Sequence, residues 1–282
     1  MKTKKAGLYL LALSPFFLLI LFFEIAPLFT VIFRSFLQQD SFSFTLQNYS
    51  DIFGKKLYRQ AVWNSILVSA VSALAGILIS FFGAKASHNI SGRLRSFFIS
   101  ILNMTANFAG IPLAFAYIIL LGNVGVLIMI GKKYGISFLT NFNLYSIEGL
   151  MLTYVYFQIP LATLLLLPAF DGIHPQWRES VELLGGGGFS FWFRVGIPVL
   201  MPSILGTIGV LFANSLAAYA TAYALLQNNF SLLPIRLQEQ FTGDIVQNKA
   251  FGSALAVILM LLMVLAIGVN NTILKKSRRT EP

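Results

Sequence analysis

Six runs of mostly apolar residues leave this chain little choice of fold: 8–33, 61–82, 97–121, 147–170, 199–226 and 251–273. Each matches the roughly 20 residues a helix needs to cross a bilayer. In lipid the backbone must satisfy its own hydrogen bonds, so such runs are expected to be helical. Charge agrees: 11% of the 282 residues are charged, against about 25% in an ordinary soluble domain. The chain reads as an all-α membrane protein, a single domain over 1–282 with six transmembrane helices. The first run follows Lys2, Lys4 and Lys5. A signal peptide would have an apolar core of about 7–15 residues and a small-residue cleavage site, so this longer run is read as a retained span. Residues 124–130 are too short to cross and read as an interfacial or re-entrant turn.

Six spans put both termini on one side of the membrane. Twelve of the 20 Lys and Arg fall on that side and eight on the other, the basic tail after Ile273 among the twelve. The positive-inside rule then makes both termini cytoplasmic. Spread between apolar runs, the net charge of +10 does not form the single basic face that nucleic-acid binding requires. Without cysteine the chain has no disulfide, thiolate metal site or cysteine nucleophile. His88 and His174 fall in loops and carry no predicted chemistry.

The outer segments, 34–60, 122–146 and 227–250, are too short for a domain but together offer a docking surface. The inner segment 171–195 holds Trp177, Phe189, Phe191, Trp192 and Phe193, a composition that argues against disorder. Within it, Trp177, Arg178, Glu179, Ser180, Val181 and Glu182 lie in a short helix over 176–184, opened by Pro175. Gly185–Gly188 break that helix, 189–195 form a second short one, and Pro198 opens the fifth span. The expected product is a cytoplasmic helix–turn–helix between the fourth and fifth spans, shaped to enter a partner's groove.

These residues resemble a known family. Permease subunits of bacterial ABC importers carry, in this loop, Glu-Ala-Ala, three residues, Gly, nine residues, Ile-x-Leu-Pro. Glu179-Ser180-Val181, Gly185, Val195, Ile197 and Pro198 stand at that spacing with no gap. Ser180 and Val181 replace the alanines, Val195 the Ile and Ile197 the Leu, and three further glycines follow Gly185. Asn48-Tyr49, Asp51-Ile52-Phe53, Ala61 and Asn64-Ser65 resemble the entry into the second helix of such permeases. Residues 217–223, Ala-Ala-Tyr-Ala-Thr-Ala-Tyr, resemble the fifth helix of the polyamine, opine and phosphonate branch.

The resemblance implies a multi-pass permease in the bacterial cell (inner) membrane. Its partners would be a second permease, a paralogue in that branch, a cytoplasmic ATPase dimer docked on the two loops, and an external solute-binding protein. ATP and Mg would sit on the ATPase, and the chain itself would bind no cofactor and perform no bond chemistry. No phosphate-cradling G-x-x-x-x-G-K-[ST] sequence is present; Gly131-Lys132-Lys133 has Val126 where the first glycine belongs. The solute could be a polyamine, a phosphonate-like anion or a sugar.

Polar residues inside a span mark pathways or interhelical bonds. Ser215, Tyr219 and Tyr223, spaced i, i+4, i+8 in one continuous fifth helix, would share a face, with Asn214 and Thr221 beside it. Asn103 and Asn107 are a turn apart in the third span, as are Tyr154 and Gln158 in the fourth, and Pro112 and Pro160 are expected to bend their helices. Ala213, Ala217 and Ala220 serve close packing. Glu24, deep in the first span towards its outer end, has three readings: solute contact, a hydrogen bond to a partner helix, or a protonated bystander. Two rival classes are a lipid-acting membrane enzyme, which would need clustered acids or histidines, and an ion-coupled secondary transporter, which would need several buried ionisable groups.

Overall fold

The computed structural model describes residues 13–39, 41–227, 230–242 and 247–279. Lys2, Lys4 and Lys5 and the predicted start of the first span at Leu8 lie outside them. The described residues are helical apart from short connections and one isolated bridge, Leu37 to Phe44. In chain order the helices are α1 (Leu13–Ser35), α2 (Gln47–Gly54), α3 (Lys56–His88), α4 (Gly92–Ala106), α5 (Ile111–Leu121), α6 (Val126–Tyr134), α7 (Ser137–Thr140), α8 (Ile147–Asp171), α9 (Pro175–Leu183), α10 (Gly188–Leu216), α11 (Tyr219–Leu226), α12 (Leu233–Thr242) and α13 (Lys249–Arg279). Six stretches are long and apolar enough to span: α1, α3, Ile111–Tyr134, α8, α10 and Lys249–Asn270.

Residues group into two compact units. One runs up to Gln60 and takes in Arg236–Met260; the other is Ala61–Ile235 with the stretch from Leu261 on. In the first unit, Asn48 donates from Nδ2 to the carbonyls of Ser35 (3.0 Å) and Leu37 (2.9 Å), capping the C-terminal end of α1. Ser35 and Tyr49 share a hydroxyl hydrogen bond of 2.7 Å, and Phe36 stacks on Phe44. In the second unit, the buried face of α3 is mostly small residues, Ala61, Ser65, Ser69, Ser72, Ala73, Gly76, Ser80, Ala84 and Ser87, with Val68 and Ile77 among them. Small faces let membrane helices approach closely. At Gly76 a Cβ would meet Gln158 Cβ at 3.1 Å, so this glycine brings α8 onto α3.

Four sequence expectations are corrected. The third span, expected over 97–121, is broken: α4 stops at Ala106 and α5 starts at Ile111, with Gly110 at φ +75° between them. Asn107 turns its Nδ2 onto the Asn103 carbonyl, closing α4, and Pro112 starts α5 instead of bending a longer helix. α8 continues through Pro160, and next to it Ser80 and Thr163 both donate to the Ile159 carbonyl. The turn expected at 124–130 is instead the start of helix α6, closed by Gly135 in the left-handed region. The fifth span begins at Gly188, not 199, and the second short loop helix is its first turn, joined through a π-helical turn at Trp192–Gly196. That span also ends at Leu216, and α11 begins separately at Tyr219.

Candidate functional site

The loop between α8 and α10 is built by three glycine- and proline-dependent devices. Pro175 occupies the first turn of α9, where its missing N–H is not needed. At the other end Gly185, at φ +78°, donates to the Glu182 carbonyl (3.0 Å), and Gly186 donates to Val181 (2.9 Å). This pair of bonds is a Schellman closure. A Cβ on Gly186 would stand 2.7 Å from Val181 Cγ1, whereas Gly187 and Gly188 have open space around them. The turn is therefore fixed by Gly185 and Gly186 together, and the last two glycines are conformationally spare.

Around that turn, Leu183, Leu184, Phe189 and Phe193 are exposed, the least of them by 61%. Phe189 and Phe193 lie 4.5 Å apart, centroid to centroid. A groove of about 320 Å³ runs beside them, walled by Trp177, Ser180, Val181, Leu184, Val195 and Val199. Arg178 pairs with Glu182 at 3.0 Å along the outer side of α9, while Glu179 is exposed. Ile197 is half-buried and Pro198 exposed. Trp192 packs against Phe81, Phe170 and Phe191, with Lys85 Nζ 4.3 Å above its ring. Below, Asp171 at the end of α8 pairs with both His88 (3.2 Å) and Arg95, tying the ends of α3 and α4 to it. Sequence reasoning gave His88 no such place; the carboxylate that holds it is 83 residues away.

The predicted pathway residues separate into two groups. Tyr154, Gln158, Ser215 and Thr221 are buried and bonded to protein. Ser72 Oγ donates to the Val68 carbonyl (2.6 Å), and so accepts from Gln158 Nε2 (2.8 Å) and from Ser215 (3.1 Å). Tyr154 donates to the Ala218 carbonyl where the fifth helix ends, and Thr221 donates to the Gly110 carbonyl at the break in the third span (3.3 Å). Gln158 Oε1 is buried with no partner among the described residues. Ser65, Ser69, Tyr154 and Ser215 border a cavity of about 10 Å³, room for about one water.

The second group is open: Asn103, Asn107, Asn214, Tyr223 and Glu24 are exposed and Tyr219 is half-buried. Tyr219 and Tyr223 stack at 5.2 Å. Asn103 and Asn107 turn their amides onto carbonyls of their own helix. Ser215 does not share a helix face with the two tyrosines, as expected from their spacing, because the chain leaves the helix at Ala217–Ala218 between them. Ser72, the hub of the buried group, was missed. Its signal was present in the serines at 65, 69 and 72 within an apolar run, one helical face.

This fold is that of ABC importer permeases. It matches the crystal structure of a bacterial ABC transporter that imports alginate, with a TM-score of 0.79 at 14% identity, covering all of this chain and 98% of that one. Inward-facing MetNI methionine ABC transporter matches at 0.61 over 78% of the chain. Relatives by sequence are ABC transporter permease proteins. The spermidine/putrescine permease PotB of Haemophilus influenzae is 26% identical over 88% of this chain and 87% of its own length. The thiamine permease ThiP of Escherichia coli is 27% identical over 59% of this chain, which spans 30% of that protein. No family model matches.

Proposed function

We propose that this chain is the permease subunit of a binding-protein-dependent ABC importer of the bacterial inner membrane, with α9 as the helix that docks a cytoplasmic ATPase. The observation that carries this reading is the loop: a rigid helix, closed by Gly185 and Gly186, that presents Leu183, Leu184, Phe189 and Phe193 to solvent with a walled apolar groove beside them. Exposed apolar groups of this size, gathered at the loop and the first turns of α10, call for a protein partner. ATP and Mg belong to that ATPase, and this chain converts its closure into helix movement. A second permease completes the pathway, and an external binding protein delivers the solute.

The open polar residues, Asn103, Asn107, Asn214, Tyr219 and Tyr223, are the candidates for solute contact. Tyr154, Gln158, Ser215 and Thr221 act as positioning residues that hold the two helix breaks. An uncharged lining of this kind suits a sugar; a polyamine, which the branch resemblance favours, would call for more carboxylates than this chain places near the membrane.

The test is co-purification in mild detergent followed by ATPase assays on the complex. Gly185→Val should abolish solute-stimulated ATP hydrolysis while the chain stays in the membrane, because a β-branched residue is strongly disfavoured at φ +78°. Glu179→Lys should weaken ATPase recovery. Undiminished transport by both variants, or uptake driven by a proton gradient without ATP, would move the assignment to a secondary transporter.

A further inference from the structure

Helix α8 hands over to the loop at a residue that two other helices also hold. Asp171 ends α8, and Pro175 starts α9 shortly after it. Its Oδ1 lies 3.2 Å from Nδ1 of His88, the last residue of α3, and its Oδ2 accepts from the Arg95 guanidinium in the first turn of α4. One carboxylate thus divides its oxygens between helices 83 and 76 residues away. Its neighbour Phe170 is fully buried, with the rings of Phe81 and Trp192 at 5.2 and 6.1 Å from its own. Among the described residues Arg95 pairs with no other carboxylate, and its Nε is buried without a partner. The guanidinium is committed to this one contact.

An ion pair this open to water adds little stability, since the side chains of Arg95, His88 and Asp171 stay 31–42% exposed. Its placement suits a mechanical role instead. Pro168, inside α8, stands three residues before Asp171 and lacks the N–H that would serve the Leu164 carbonyl. The last turn of α8 is therefore easier to bend than the turns before it. A pull on α9 would be absorbed in that turn unless the turn is tied to its neighbours. Phe170 ties it to Phe81 of α3 and to Trp192 of α10, and Asp171 adds the end of α3 and the start of α4. Further along, Ser80 of α3 donates to the Ile159 carbonyl of α8, and Gln158 of α8 donates to Ser72 of α3, both at 2.8 Å. Movement that enters at the tied ends is thereby carried along both helices.

We propose that Asp171 is a positioning residue for energy coupling: it locks the ends of α3, α4 and α8 to the base of the docking loop, so that they move as one body when the ATPase closes. The proposal deepens, and rests on, the reading of α9 as the ATPase-docking helix. Packed helices can slide past one another. The shared carboxylate fixes their register at the end where the force enters.

The test uses the full chain in its complex with the co-purified ATPase, the partner subunits being made free of cysteine. Spin labels are placed on cysteines introduced at Ser96 of α4 and Gln176 of α9, both exposed, in a chain with no other cysteine. Their separation is measured without nucleotide and after trapping with ATP, Mg and vanadate. In the unsubstituted chain it should be the same in both states. Asp171→Ala should match that separation without nucleotide, and after trapping the share of complexes that keep it should fall about tenfold. Asp171→Arg should behave likewise, and adding Arg95→Asp to it should restore the fixed separation, which the loss of a merely structural contact would not do. Labels that move in the unsubstituted chain, or stay fixed in Asp171→Ala, would overturn the proposal. So would a charge swap that restores nothing, or a shift in Asp171→Ala already present without nucleotide. If no ATPase co-purifies with the unsubstituted chain, the docking reading fails and takes this proposal with it. An ATPase that binds and hydrolyses while the labels ignore Asp171 removes this proposal alone.

Discussion

Two π-helical turns in this molecule arise from the same local sequence event and end in opposite surroundings. Leu21–Ile25 is followed two residues later by Pro27, and Trp192–Gly196 by Pro198. In each, the residue just before the proline reaches back five residues, Ala26 to Leu21 and Ile197 to Trp192. In each, the proline withdraws a donor from the carbonyl four residues earlier. The second turn is packed on one side: Gly196 is buried, Trp192 sits among Phe81 and Phe170, and Lys85 covers its ring, while Phe193 and Arg194 face outward. Every residue of the first is exposed. Proline thus marks where a helix widens, and tertiary contact decides whether the widened turn is packed against the rest of the chain or left exposed.

The largest expected effect separates the two turns directly. Trp192→Ala removes the central ring of the packed one and should cost on the order of 2–3 kcal/mol, discounted because Trp192 is only partly buried. Thermal unfolding in detergent reads this. Phe23→Ala, at the exposed turn, should leave the melting of the isolated chain unchanged. Equal destabilisation by both would remove the distinction.

Gly196→Ala sharpens the same contrast with a single methyl group. A Cβ there would lie 2.6 Å from Trp192 Cε3 and 3.0 Å from Cζ3, so the indole must move off Phe81 and Phe170. Overpacking of this kind costs about 1–3 kcal/mol. The tryptophan fluorescence maximum should shift as the ring is displaced, with the Trp63 and Trp177 contributions subtracted by substitution. An unchanged spectrum would mean that Trp192 is not held as described.

How much of this was legible in the sequence depends on what each feature needs. The six spans needed only apolar length, and the loop helix only Pro175 and Gly185, both local. The break at Ala217–Ala218 was illegible: two alanines, the best helix formers, give no stop signal. The helix yields there to long-range contacts, the Tyr154 hydroxyl on the Ala218 carbonyl and Ser215 on Ser72. The break before α5 did carry a local signal in Asn107, Gly110 and Pro112, but apolarity masked it. Of the candidate site, the residue types were read correctly as polar groups inside spans. Which of them face an opening and which bond to each other depended on pairings such as Ser72 with Gln158, 86 residues apart.

The smallest expected energetic effect tests what holds each turn open. Pro27→Ala restores the missing N–H and removes the ring from the Phe23 carbonyl, and no residue of that turn is buried among the described residues. It should relax to a regular α-helix with little change in melting. Losing the inserted residue rotates everything on one side of it by about 100° relative to the other. Spin labels on cysteines at Leu18 and Phe29, in a chain with no other cysteine, would report that rotation as a changed interlabel distance. Pro198→Ala offers the same local relief, yet the turn at Trp192–Gly196 should persist, because straightening it would carry Trp192 away from Phe81, Phe170 and Lys85. Labels at Ser190 and Met201 should then keep their separation. If both turns straighten, proline alone sets them and the packing around Trp192 follows; if neither does, the proline is incidental to both.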